Sequence, residues 1–317
     1  LLNWLAKLPF VSLSFEQITP IQKALVVVGA LLLLLPVGLG TRWSGAVLLV
    51  APLFWSGEYK NDDLLEVTML DVGQGLSLVL STRNHTLVYD VGPRYSDKFD
   101  AGSGVVAPFL KSRGINRIDK LVLSNGDSDH AGGYRGLLTK ITPQQILSGE
   151  PERLADPRID DCISGMNWRW DGVDFQVLSP PDKVTWRGND ASCVLSVNAG
   201  GTRILLTGDI SRLVESALLA EQPGQLAADV VTVPHHGSST SSSRPFVTQV
   251  KAKYALISAG YRNRYGFPKP EVVDHWQTAG AEVLNTVGSG AMSFTVNRAG
   301  ELSGPVEYRE SHHRYWH

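Results

Sequence analysis

Residues 123 to 133, Leu-Ser-Asn-Gly-Asp-Ser-Asp-His-Ala-Gly-Gly, place two carboxylates and an imidazole within four positions. Held that close, Asp127, Asp129 and His130 are costly to keep charged unless a cation neutralises them, so the loop reads as a metal-binding loop. The alternative is a polar strand-to-helix turn with Asp129 as a helix cap. Two more apolar runs end in the same chemistry. Residues 204 to 209, Ile-Leu-Leu-Thr-Gly-Asp, end in the Asp209 carboxylate, and residues 230 to 236, Val-Val-Thr-Val-Pro-His-His, end in His235 and His236. Alone, either ending is an ordinary turn or surface feature. Together the three predict one metal site.

To meet, these endings need strands that stop at a common edge. Ile118 to Leu123 is β-prone and runs into the acidic loop, and Gly132-Gly133 opens a helical segment, so the loop sits at the carboxyl end of a strand, where α/β folds place their sites. Leu64 to Asp71, Ser77 to Ser81 and Thr86 to Asp90 read as a β-meander, the last two joined by the turn Arg83-Asn84-His85. A helix is expected near Val105 to Arg113. Residues 149 to 172, rich in Pro, Asp and Trp, are expected to be an irregular insert or lid. Strands resume at Val173 to Leu178, Ser192 to Asn198 and Thr202 to Leu206. They then alternate with helices, with strands starting at Val230, Tyr254 and Glu282 and helices near Phe246 and Glu271. Two halves of this kind predict two sheets face to face with helices outside and the site in a groove between sheet edges.

Composition narrows the function classes. A length of 317 residues allows two domains, and 43% apolar content is ordinary for a chain with a core. The net charge of −2 excludes a chain that is basic overall, so any polyanion contact needs a local patch, for which Arg262 and Arg264 are the candidates. The hydroxyl run from Ser238 to Ser243 offers Ser238 and Ser239 as donors to phosphate oxygens, against the plainer reading of a turn and helix cap before Pro245. Cys162 and Cys193 cannot form a disulfide framework; both are expected to be buried free thiols, although an oxidising compartment would permit one bridge.

The start of the chain differs in kind. After a lead-in of residues 1 to 20, the apolar run Ile21 to Leu39 is long enough to cross a bilayer, and Trp43 to Trp55 is a shorter second crossing or re-entrant segment, giving a hairpin over 21 to 57. A signal peptide fits less well. Without an initiator Met the chain reads as part of a longer membrane protein, and Lys7, Lys23 and Arg42 are too few to orient it. A domain over 58 to 300 follows, then a tail over 301 to 317.

In order, Leu70-Asp-Val-Gly-Gln-Gly75, Asp90-Val-Gly92, the loop Asn125 to Gly133, Asn189-Asp-Ala-Ser192, Leu206-Thr-Gly-Asp209, His235-His-Gly-Ser238 and Tyr265-Gly-Phe-Pro268 resemble the metallo-β-lactamase-like domain of the ComEC-type competence channel. The resemblance covers roughly Leu65 to Val296. It implies an α/β fold, an αββα metallo-β-lactamase-like sandwich preceded by one or two transmembrane helices. It further implies a DNA uptake channel in a bacterial inner membrane, with this domain on the periplasmic face hydrolysing the strand that is not imported. DNA, the membrane and the remaining membrane part of the same channel would be its partners. Two positions depart from the family pattern: Asn125 stands where His opens the acidic motif, and Phe267 stands where His is expected.

By analogy with two-metal relatives, one ion would keep Asp127 and one of His235 and His236. The other would keep Asp129 and His130, with Asp209 bridging them. Asp127, Asp129 and Asp209 would then be the catalytic carboxylates, supporting metal-assisted hydrolysis of a phosphodiester. Three carboxylates favour Mn²⁺ or Mg²⁺ over Zn²⁺. The alternative is a non-catalytic domain that guides DNA at the channel mouth. A β-lactamase or thiol-ester hydrolase is disfavoured, because those sites keep the two imidazoles missing here.

Overall fold

A computed structural model describes residues 20–36, 38, 40–51, 63–182 and 186–312. The chain divides into two compact units, Leu1–Tyr59 with Phe109–Asn116, and Lys60–Pro108 with Arg117–His317.

In the first unit, helix α1 (Pro20–Leu34) packs on helix α2 (Arg42–Val50) through two glycines. A Cβ on Gly29 would lie 2.8 Å from the Gly45 carbonyl, and one on Gly45 would lie 2.8 Å from the Gly29 carbonyl, so only glycine lets the backbones come this close. Val27, Leu31, Trp43 and Val47 remain exposed. No helix among the described residues is long and apolar enough to cross a membrane. The run expected to span 21 to 39 ends as a helix at Leu34, just before Pro36, and its 15 residues rise about 22 Å where a bilayer core needs about 30 Å. Pro52 to Trp55 of the second run lie outside the described residues.

In the second unit, period-two alternation forms two sheets. The first runs β17 (Leu302–Glu307), β16 (Met292–Val296), β1 (Leu65–Met69), β2 (Leu78–Ser81), β3 (Thr86–Tyr89), β6 (Lys120–Leu123), β7 (Gln145–Ser148), β8 (Ile159–Asp161). The second runs β15 (Glu282–Asn285), β14 (Tyr254–Ile257), β13 (Val230–Thr232), β12 (Thr202–Leu206), β11 (Val194–Ala199), β10 (Val173–Ser179), β9 (Asn167–Trp170). A small hairpin, β4 (Arg94–Ser96) and β5 (Phe99–Asp100), stands apart. The expected meander is β1-β2-β3, antiparallel, and β3, β6 and β7 then pair in parallel. In the second sheet β12 to β15 are parallel.

Alternation also assigns the two cores. Ile204 and Leu206 of β12 and Val230 of β13 face the inter-sheet core with Met69, Tyr89 and Phe175, whereas Leu205 and Val231 face outward. There they meet Val214 of helix α5 (Arg212–Glu221), Phe246 of α6 (Arg244–Val250) and Trp276 of α7 (Pro270–Thr278).

Three expectations change. Residues 149 to 172 are not an irregular lid: they supply the edge strands β8 and β9, one to each sheet. Trp168 and Trp170, two apart on β9, both pack on Phe175, at ring distances of 5.2 and 5.3 Å. Residues 302 to 307, expected as tail, pair with β16 as β17. Cys162 and Cys193 are buried as expected but bonded to each other, not free, because the strand ends that carry them bring their Cα atoms to 5.9 Å.

Candidate metal centre

The loop after β6 closes on itself before it reaches the groove. Asn125 is fully buried; its side-chain oxygen accepts the Asp127 N–H at 2.9 Å and its amide donates to Ser192 Oγ at 3.1 Å. Asp127 is the N-cap residue of the short helix α3 (Ser128–Ala131), whose His130 and Ala131 N–H groups donate to its carbonyl. Asp129 is therefore no cap, and its carboxylate is turned toward the imidazoles instead. The loop at Gly75 presses on this turn: a Cβ there would lie 2.4 Å from the Asp129 carbonyl, which accepts the Leu76 N–H at 3.0 Å.

Asp129, His130, Asp209 and His236 converge, each offering a ligand atom within 4.8 Å of the others. His130 Nε2 lies 3.0 Å from Asp209 Oδ2, and His236 Nε2 lies 3.3 Å from Asp129 Oδ2 and 3.6 Å from Asp209 Oδ1. His130 Nε2, His236 Nε2 and Asp209 Oδ1 are buried without a hydrogen-bond partner, so the 3.0 Å approach is close but not aligned as a bond. Leaving such atoms unmet costs about 1–3 kcal/mol each. A shared divalent cation meets all three, and two imidazoles with two carboxylates are a suitable donor set.

The rings are aimed by their other nitrogens. His130 Nδ1 lies 2.8 Å from Asp90 Oδ2, and Asp90 is held in turn by the Ser124 N–H at 2.6 Å and hydroxyl at 2.7 Å. His236 Nδ1 donates to the Ser258 carbonyl at 2.8 Å. His235 and His236 both adopt left-handed backbone, φ 51° and 53°, an uncommon pair of conformations that turns the second imidazole inward.

Electrostatics follows from that packing. Burial by itself would lower the His130 pKa, but the carboxylates of Asp209 and Asp90 outweigh it and raise it well above the usual imidazole range. His236 is raised in the same way, against burial, by Asp209 and Asp129. For Asp209, burial works upward and the charges of His130 and His236 prevail, holding the carboxyl well below its usual range. His235 shifts down, mainly through burial.

The remaining candidates separate. His235 stands at the groove edge, its Nε2 3.9 Å from Asp209 and its Nδ1 3.0 Å from Thr240 Oγ1, so His236 is the imidazole of this pair that joins the cluster. Asp127 lines the groove but is not among the converging groups; its carboxylate pairs with Arg153 at 2.8 Å. Phe267 lies against the same groove of about 490 Å³, edge-on to His235 at 5.7 Å and stacked on Tyr265 at 5.5 Å. Ser238 is buried with its hydroxyl 3.0 Å from that of Thr240, and Ser239 is exposed. The hydroxyl run is largely an internal turn, since Ser241 Oγ donates to the Pro234 carbonyl and the Ser242 and Ser243 N–H groups donate to the buried Glu215 carboxylate. Arg262 and Arg264 are exposed, with guanidinium groups over Tyr261 and Tyr265.

Sequence reasoning assigned no role to Asp90, Ser192 or Arg153. Asp90 carried a readable signal, a carboxylate closing a buried strand just as Asp209 does. Ser192, whose hydroxyl accepts the Asp209 N–H at 3.0 Å, stands in the run Asn189-Asp-Ala-Ser192 that carries the family resemblance, and Arg153 carried no signal.

The family model of the metallo-beta-lactamase superfamily matches residues 70–261. The chain belongs to that superfamily. Its curated relatives include Competence protein ComA of Neisseria gonorrhoeae, 40% identical over 87% of this chain and 39% of that protein. Recombination protein 2 of Haemophilus influenzae is 35% identical over 71% of this chain and 28% of that protein. ComE operon protein 3 of Bacillus subtilis is 32% identical over 75% of this chain and 34% of that protein. The resemblance to the ComEC family is thus borne out, as is the metallo-beta-lactamase sandwich. The chain spans about a third of the length of these relatives.

Proposed function

We propose that this chain is part of a DNA uptake channel in a bacterial inner membrane and that its metallo-beta-lactamase domain hydrolyses phosphodiesters of the strand that is not imported. The observation that carries this reading is the convergence of Asp129, His130, Asp209 and His236 with three buried ligand atoms unmet. Names of the relatives support the DNA substrate. The Cys162–Cys193 bridge supports the periplasmic face, since disulfides persist in oxidising compartments. The exposed apolar side chains of α1 and α2 support apolar surroundings for that hairpin, which is proposed to anchor the domain beside the rest of the channel.

A divalent ion at this cluster supplies a water acidified toward neutral pH and a Lewis acid for a phosphoryl oxygen. The chain's own residues do the rest. Asp90 holds His130 in the tautomer that leaves Nε2 free, and the Ser258 carbonyl does the same for His236. Phe267 and Tyr265 form an apolar wall on which a base can stack, and Arg264, over the Tyr265 ring, attracts the backbone, with Arg262 two positions away on the same loop. With Asp127 paired to Arg153, the two imidazoles and two carboxylates suit Mn²⁺ or Zn²⁺ better than Mg²⁺, and Mn²⁺ is our choice.

The second reading, a DNA-guiding domain without turnover, is favoured by Phe267, which cannot ligate, and by the closed amide of Asn125. Cleavage of labelled single-stranded DNA by the full chain in Mn²⁺ separates the two. Slow cleavage that Asp209→Ala abolishes is expected; DNA binding with no cleavage in any divalent ion would leave only the guiding role.

A further inference from the structure

We infer that the groove takes one ion rather than two, and that Arg153 occupies the place of the second cation. This rests on the metal-centre reading above. It concerns the acidic loop, where Asn125 and Asp127 form the side of the groove that the converging cluster leaves out.

That side is closed by hydrogen bonds and an ion pair. The Asn125 amide is spent on both ends, accepting the Asp127 N–H and donating to Ser192, and it is fully buried. The Asp127 carboxylate already has a cation, the Arg153 guanidinium at 2.8 Å. Arg153 is exposed, but its guanidinium is anchored from below. Its other nitrogen lies 2.8 Å from Glu150, a residue only 1% exposed whose two oxygens also take the N–H groups of Gly126 at 3.1 Å and Gly188 at 2.6 Å. Its side chain lies directly on the acidic loop, since a Cβ on Gly126 would meet Arg153 Cβ at 2.9 Å. A planar fork held by one buried carboxylate presents its remaining nitrogen in a fixed place, and Asp127 receives it there.

Charge is consistent with that count. Asp129 and Asp209 are balanced by one divalent ion between them, Asp90 is taken up by His130 Nδ1 and Ser124, and Asp127 is paired with a cation from within the protein. A second ion would have to displace the guanidinium from Asp127, while His130 and His236 both belong to the first cluster and His235 is not among the converging groups.

Native mass spectrometry and calorimetric titration of the full chain with Mn²⁺ alone test this without any turnover. One ion per chain is expected. Asp127→Asn, which keeps a hydrogen-bond acceptor for Arg153, should leave the stoichiometry at one and the affinity within about threefold, whereas Asp129→Asn should weaken it at least about tenfold. The pair Asn125→His with Arg153→Met, checked for folding by its thermal transition, should open a second, weaker binding step. Two ions in the parent, or loss of the ion in Asp127→Asn, would overturn the inference even if DNA were cleaved. One ion with no cleavage would support it while removing the hydrolase reading.

Discussion

Asp90→Asn isolates how much of the metal centre is set by a residue that does not face the groove. Asp90 is wholly buried and accepts three hydrogen bonds, from the Ser124 N–H at 2.6 Å, the Ser124 hydroxyl at 2.7 Å and His130 Nδ1 at 2.8 Å. Its backbone is left-handed, φ 57°, a conformation that asparagine adopts readily, so the exchange adds no backbone strain. Asparagine has one accepting oxygen. If that oxygen keeps the Ser124 N–H, the amide donors face Ser124 Oγ and His130 Nδ1. The hydroxyl can turn round and accept. The imidazole can accept only by moving its proton to Nε2, the atom aimed at Asp209 and the ion, and a protonated Nε2 cannot ligate. Losing an orienting carboxylate of this kind costs about 10–100-fold in ion affinity. At 1.4 kcal/mol per factor of ten, that is about 1.4–2.8 kcal/mol. Calorimetric titration with Mn²⁺ near neutral pH measures it directly, and urea unfolding of the metal-free protein checks that the fold survives. An affinity within twofold of the parent, in a folded variant, would refute the claim that Asp90 sets the His130 tautomer.

Other consequences are simpler to state. Glu215→Gln puts an amide NH₂ against one of the Ser242 and Ser243 N–H groups, and should destabilise the domain by about 1–3 kcal/mol in urea unfolding. In the metal-free protein, His130 and His236 have raised pKa values, so their pairing with Asp209 and Asp129 is complete below about pH 6.5 and is lost as pH rises through the raised values. Metal-free stability should therefore fall with rising pH while Mn²⁺ affinity rises, and titration in buffers of different ionisation enthalpy should register proton release on binding. Replacing Cys162 and Cys193 together by Ser opens a loop of 31 residues and should lower stability by up to about 3–4 kcal/mol, read as a shift in the urea midpoint.

Strand endings were the legible part of this site. Asp209 and His236 follow buried apolar runs on β12 and β13, parallel neighbours that end at one edge of the second sheet, and they meet the loop after β6 of the first sheet there. Period-two alternation likewise underlies the separation of Ile204 and Leu206, which face the inter-sheet core, from Leu205, which faces the helices. What stayed hidden depends on long-range partners. Nothing in the acidic loop announces Arg153, 26 positions beyond Asp127 in a stretch expected to be irregular. The two cysteines gave no spacing signal because their pairing follows from the meeting of two sheets, not from sequence proximity. The Trp168 and Trp170 alternation was masked by the Pro and Asp residues around it, and only packing on Phe175 makes it a strand.

The two family departures are coupled to their surroundings in different ways, and that decides what reversing them would do. Phe267 belongs to an aromatic stack at the groove wall, half-buried against Tyr265 and edge-on to His235. An imidazole there keeps much of that packing and gains a nitrogen facing the groove. Asn125 is different. Its amide fills a fully buried position between Ser192 and the Asp127 N–H, so an imidazole must satisfy both partners before it can offer a lone pair. Even then its natural companion, Asp127, is already paired with a guanidinium anchored on a buried carboxylate. The Asn125 side of the groove is therefore fixed by a network of hydrogen bonds through the side chain itself, while the Phe267 side chain is held by ring packing.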